Sequence, residues 1–135
     1  TVRTLDPDMR EMIIRRMTEM ARDIAKAYGG EATIDWQNNT IVTYNDPELT
    51  AQMLPTLQNI AGEENVQLMK ATTGGEDFSY FQEKVPGFYF FLGGMTPGNT
   101  TPYPHHTPDF KIDDNGLLLG VKTMTQVAID YLNAQ

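Results

Sequence analysis

The chain contains no cysteine, so no disulfide and no thiolate ligand can be drawn from it, and its redox compartment stays undecided. It has only two histidines, and its ten basic residues face eighteen acidic ones, a formal net charge of −8. That balance argues against nucleic acid, whose phosphates need clustered Lys and Arg. Five of the ten basic residues lie in the first predicted helix, interleaved with acids, as on a solvated face. Long apolar runs are missing as well. The longest, Phe88 to Leu92, is far too short to span a bilayer, and no targeting segment is visible, so no membrane partner is expected. Cytoplasm is the expected compartment, with a secreted or periplasmic origin left open. Thr1 opens directly in strand-like sequence without an initiator methionine, so either a leader was removed or the chain starts upstream.

What is present is an ordinary globular composition, 40 % apolar, long enough for a core. Val2 to Leu5 suits a strand end. Asp6-Pro7 then opens a helix, Asp capping its free amides and Pro tolerated at its first position. Met9, Ile13, Met17, Met20, Ile24 and Tyr28 form one apolar stripe, and Gly29-Gly30 ends the helix. Ala32, Ile34 and Trp36 alternate with Thr33 and Asp35, the pattern of a half-buried strand. Thr40 to Tyr44 continues it, with Asn38-Asn39 as a hairpin tip or as a bend in one strand.

Asp46-Pro47 starts a second helix with Leu49, Met53, Leu57 and Ile60 inward, and Pro55 should bend it or end its regularity. Val66 to Met69 reads as a short strand, Glu76 to Glu83 as a short helix, and Phe88 to Leu92 as a strand apolar on both faces. Asp113 or Asp114 caps a last helix reaching about Leu132, with Leu117, Val121, Met124, Val127 or Ala128, and Tyr131 inward. The order predicts an α/β fold. Its few short strands would leave open edges, which implies that further strands lie elsewhere.

Two loops can carry chemistry. Thr73-Gly74-Gly75-Glu76-Asp77 lies between a strand and a helix, where ligands bind in open α/β sheets; its acids can equally cap the helix. The Pro-rich loop T-P-Y-P-H-H-T-P-D-F holds both histidines, His105 and His106. Imidazole is the commonest protein metal ligand, yet zinc needs at least three protein ligands. Both loops follow strands, so they are expected to converge on one cleft.

The stretches G-G-E-D-F-S-Y-F, V-P-G-F-Y-F-F-L-G and H-T-P-D-F-K-I-D, followed by a Leu-rich helix, resemble the C-terminal part of the M20 metallopeptidases. They look most like the amidohydrolase branch, which includes aminoacylase-like, hippurate hydrolase-like and auxin-conjugate hydrolase-like enzymes. The opening T-V-R-T-L-D-P-D-M-R is similar to the end of that family's smaller lid, or dimerisation, domain. The resemblance implies residues 1–44 as the end of an α+β, ferredoxin-like lid and 45–135 as the end of an α/β catalytic domain of zinc-peptidase type.

The implied activity is hydrolysis of the amide bond of N-acyl amino acids or peptide-like conjugates by two divalent ions (Zn, Mn, Co or Ni), with a homo-oligomeric parent enzyme. His106 matches the last metal ligand, and Arg3 matches an arginine that meets the substrate carboxylate, a task suited to a guanidinium fork. Gly74, Gly75 and Glu76 match the loop lining the substrate cleft, Glu76 without a defined chemical step. His105 sits where this branch usually has an apolar residue. The early His-x-Asp motif and the Glu-Glu pair that supplies the general base are absent, and Glu63-Glu64 stands in the wrong context to replace them. No catalytic residue is therefore assigned, the chain alone is expected to be inactive, and this fragment need not hold metal. A non-catalytic oligomerisation or binding module derived from such an enzyme is the alternative. A self-contained hydrolase using His106 with Asp77 lacks any nucleophile elbow.

Overall fold

The computed structural model describes residues 1–37 and 40–135. The Asn38-Asn39 hairpin tip lies outside the described residues. The described backbone forms helices α1 (Pro7–Ala27), α2 (Pro47–Ala61), α3 (Phe78–Gln82) and α4 (Asn115–Asn133), with a 3-10 turn at Glu63–Asn65. It divides into two compact units, one of Thr1–Asn45 with Met69–Gly87, the other of Asp46–Leu68 with Phe88–Gln135.

In the first unit α1 begins as its sequence requires. Asp6 accepts a hydrogen bond from the Met9 amide at 3.0 Å, and Pro7 occupies the first turn. It ends where Gly29 takes φ +74 and the Gly30 amide reaches back to the Ala25 carbonyl at 2.9 Å. The side it turns inward differs from the predicted stripe. Of the stripe Ile13 is half-buried, together with Ile14, Thr18, Ala21 and Ala25, and Thr18 accepts from the Trp36 indole N–H at 2.8 Å. Met9, Met17, Met20, Ile24 and Tyr28 stay exposed, Ile24 by 58 %. An amphipathic stripe is buried only where a surface wide enough lies beneath it. No strand forms among the described residues, so that surface is missing.

The expected α/β architecture is therefore not met by this chain's own described backbone. The alternation survives in exposure alone: Ala32, Ile34 and Trp36 are half-buried while Thr33 and Asp35 are exposed. Without a neighbouring backbone, side chains serve the main-chain groups instead. Ser79, fully buried on α3, accepts from the Ile41 amide at 3.4 Å, and Gln82 accepts from the Tyr44 amide at 3.1 Å. Gln82 also donates to Asn45 at 3.4 Å.

In the second unit α2 packs on α4. Met53 (2 % exposed) and Leu57 (8 %) are its buried apolar side chains, with Leu49 and Ile60 half-buried as predicted. The helix runs through Pro55 to Ala61 rather than ending there. The predicted inward list for α4 needs correcting. Leu117, Val121, Met124 and Tyr131 are exposed, Val127 is half-buried as expected, and Gly116, Gly120 and Thr123 are turned in instead of the others. Gly120 lets Leu92 pack close: a Cβ there would lie 2.9 Å from Leu92 Cδ2, so that side chain would have to shift.

Polar bonds pin the pair. The buried Thr56 hydroxyl donates to Asp130 at 2.5 Å, and the Gln126 amide donates to the same carboxylate at 2.7 Å. Phe88 pairs with Phe90 at 5.7 Å between ring centroids, and Tyr89 meets Phe91 edge-on at 5.3 Å. Rings two residues apart share a face, as extended backbone dictates. The Val66–Met69 segment likewise forms no strand.

Thr56, and after it Gln126, hold the Asp130 carboxyl below its ordinary range, against a smaller opposing effect of burial. A depressed folded-state pKa gives stability that is present above the unfolded value, about 3.9, and is lost as pH falls through the folded one. Urea unfolding across that acid range should show this loss, and Asp130→Asn should flatten it. An unchanged pH profile in the variant would show that the pair contributes nothing.

Candidate functional site

Arg3 and the Gly-rich loop meet in the first unit. Arg3 Nη1 donates to the Thr73 carbonyl at 2.9 Å, joining the start of the chain to the Thr73-Gly74-Gly75 turn. Gly75 makes room for this, since a Cβ there would lie 3.2 Å from Thr40 Oγ1 and 3.6 Å from Arg3 Nη1. Around the junction lies a cavity of about 540 Å³, lined by Arg3, Arg10, Thr40, Thr73 and Gly74 among others. Arg10 went unnoticed in the sequence. Its Nη1 donates to the Thr40 carbonyl at 3.2 Å, and its buried Nε has no hydrogen-bond partner among the described residues, lying 3.9 Å from Glu11 Oε1. The signal was available: the Asp6-Pro7 cap sets Arg10 one turn into α1, beside the segment that carries Arg3.

Glu76 is half-buried, and its carboxylate lies 3.5 Å from the Phe78 amide while its carbonyl accepts from Ser79. These bonds belong to the start of α3, and Asp77 makes no side-chain cap bond there. Arg3, Gly74 and Gly75 are thus brought together in this unit, with Glu76 beginning the helix that follows.

His106 lies in the second unit. Its φ of +63 is the single positive value outside glycine among the described residues. Such backbone costs about 1–3 kcal/mol and persists only where the surroundings hold it. Here Thr107 donates to the Pro104 carbonyl at 2.8 Å, and the Phe110 amide reaches Thr107 at 3.2 Å. The His105 ring stands 4.7 Å from Phe110 and lines a cavity of about 400 Å³ with Leu92, Tyr103, Phe110 and Leu117. His106 is absent from that lining, and its side chain is exposed. The loop then returns through Lys111, whose ammonium sits 4.1 Å over the Tyr103 ring. It closes on the aromatic segment by one backbone bond, Asp113 N–H to the Gly94 carbonyl at 2.8 Å. Asp114 is the N-cap of α4 without a side-chain cap bond, and the Asp113 carboxylate beside it accepts from the Asn115 amide at 3.0 Å.

Residues 4–130 match the family described as peptidase family M20/M25/M40. The chain belongs to that family. Among curated relatives it is 31 % identical over 98 % of its length to thermostable carboxypeptidase 2 of Saccharolobus solfataricus, covering 33 % of that protein. It is 34 % identical over 93 % of its length to N-acetyldiaminopimelate deacetylase of a Geobacillus species, again covering 33 %. An uncharacterized hydrolase, y4tI, of Sinorhizobium fredii matches the whole chain at 28 % identity. The chain spans about a third of the length of these relatives. No solved structure matches it.

M20 enzymes generally use divalent metals. The described residues of this M20 chain bring no three His, Asp or Glu side chains together as a cation site. His106, exposed and outside the cavity wall, fits as one donor of a larger set, and one imidazole does not hold an ion alone. Glu63 and Glu64 are exposed on the 3-10 turn, Glu64 accepting from its neighbour Asn65 at 3.4 Å.

Gly75→Val should displace Thr40 and release Arg3 from Thr73, at a cost of about 1–3 kcal/mol from overpacking. Urea denaturation with NMR of the Arg3 guanidinium checks this, and an undisturbed Arg3 signal would mean that the glycine makes no room for it.

Proposed function

We propose that this M20 chain is the C-terminal portion of a metal-dependent amidohydrolase of the aminoacylase-like branch, cleaving the amide bond of N-acyl amino acids or related conjugates. One observation carries the reading. A family match running from residue 4 to 130 takes in a histidine loop whose His106 side chain is exposed and stands outside the neighbouring cavity wall. On this reading residues 1–44 finish a lid domain and residues 45–135 finish an α/β catalytic domain. Their unpaired segments join strands contributed by the remainder of a longer protein.

Bound divalent ions, two in the whole enzyme, would activate water and polarise the scissile carbonyl. The residues of this chain have narrower tasks. His106 offers an imidazole nitrogen as the last metal donor. Arg3 presents guanidinium N–H groups beyond the one spent on Thr73, a fork suited to the carboxylate of an N-acyl amino acid. Gly74 and Gly75 keep the cleft wall free of side chains next to that fork. The general base is not among these residues, so the chain alone should not turn over substrate.

The test is the polypeptide encoded ahead of Thr1 joined to this chain and loaded with zinc, manganese or cobalt. It should hydrolyse N-acyl amino acids, lose about 10–100-fold in metal affinity on His106→Ala by analogy with other disrupted metal sites, and show a raised KM on Arg3→Ala. Turnover by the 135-residue chain alone, or a His106→Ala enzyme with full metal content, would overturn the reading.

A further inference from the structure

We infer that His105 is a positioning residue, whose stack on Phe110 holds the left-handed turn at His106 and so sets the direction of the neighbouring imidazole. The functional consequence rests on the reading of His106 as a metal donor. The positioning itself does not.

The two histidines are chemically alike and adjacent, yet they are placed differently. His105, although exposed, stands 4.7 Å from Phe110 and lines the cavity that Leu92, Ile112 and Leu117 also line. His106 is 6.4 Å from His105, with the ring planes inclined at 56°, and takes no part in that wall. Between them the backbone turns through φ +63, a conformation that a non-glycine residue keeps only when its surroundings over-determine it.

The restraints can be counted from the loop itself. Pro104 and Pro108 bracket the turn and narrow the backbone before each of them. Thr107 bonds across it to Pro104, and Phe110 bonds back to Thr107. These bonds fix residues 104–110 to one another but not to the rest of the unit. The tie to the unit is the Asp113 N–H bond to the Gly94 carbonyl, three residues beyond Phe110, and the His105–Phe110 ring contact carries that tie back across the turn. Removing the ring contact leaves a turn that is closed but no longer oriented. An aromatic ring of any kind at position 105 can make the stack, whereas a small side chain cannot.

Isotope-labelled 135-residue chain tests this with the parent, His105→Ala, His105→Phe, Phe110→Leu and His106→Ala. Two readouts are taken: the intraresidue amide-to-Hα NMR cross-peak at residue 106, which is strong when φ is positive, and a zinc titration of the same variants in the joined polypeptide of the preceding test, which supplies the donors that one imidazole lacks. The parent should show the strong cross-peak. His105→Ala and Phe110→Leu should both weaken it and raise the zinc half-saturation roughly fivefold, the size of one aromatic pairing. His105→Phe should restore both, which separates a stacking role from a second metal donor. An unchanged cross-peak in His105→Ala, or failure of His105→Phe to restore it, overturns the positioning role. Should zinc binding be unaffected by His106→Ala, the donor reading falls, while the cross-peak still decides the positioning.

Discussion

Main-chain N–H and C=O groups outside helices must find partners, and that demand shapes this chain more than any single apolar contact. Where a sheet would satisfy them in rows, here side chains do so one at a time. Ser79 and Gln82 take the amides of Ile41 and Tyr44, while Arg3 and Arg10 reach the carbonyls of Thr73 and Thr40. In the second unit a backbone bond from Asp113 to Gly94 ties the aromatic segment to the approach of α4. A single bond of this sort contributes about 1 kcal/mol net. It can orient a segment, but it does not build a surface broad enough to cover a helix.

The exposed stripes of α1 and α4 follow from this. Both helices carry the apolar periodicity of elements that lie on sheets, and both leave that face in solvent while a smaller-residue edge makes the contacts. On α4 the edge is Gly116, Gly120 and Thr123, close-packed and fastened by the Thr56–Asp130–Gln126 bonds. The fully buried apolar core is correspondingly slight, with Met53 and Leu57 its members among the described residues.

Local signals were legible from sequence because their causes are local. Asp6 and Asp46 cap helices as their Asp-Pro contexts predict, Gly29-Gly30 ends α1, and period-two exposure marks Ala32, Ile34 and Trp36. Strand formation and the buried side of α1 and α4 were not legible. Each depends on a second backbone or surface, and periodicity states which face is apolar without stating whether anything covers it. The Arg3 contact with the Gly-rich loop spans most of the first unit's sequence and came to light only in three dimensions. The family motifs, by contrast, could be read directly, and the match over residues 4–130 agrees with them. The left-handed backbone at His106 could not be foreseen, since histidine carries no glycine-like signal for it.

Amide hydrogen exchange on the monomeric chain tests most directly whether its strand-like segments are without a ladder. Exchange should be slow in the Met53–Leu57 turn of α2 and near the unprotected rate through Phe88 to Leu92. Strong protection of Phe88 to Leu92 in the monomer would mean that the segment pairs within the chain itself, contradicting the view that its partners come from elsewhere.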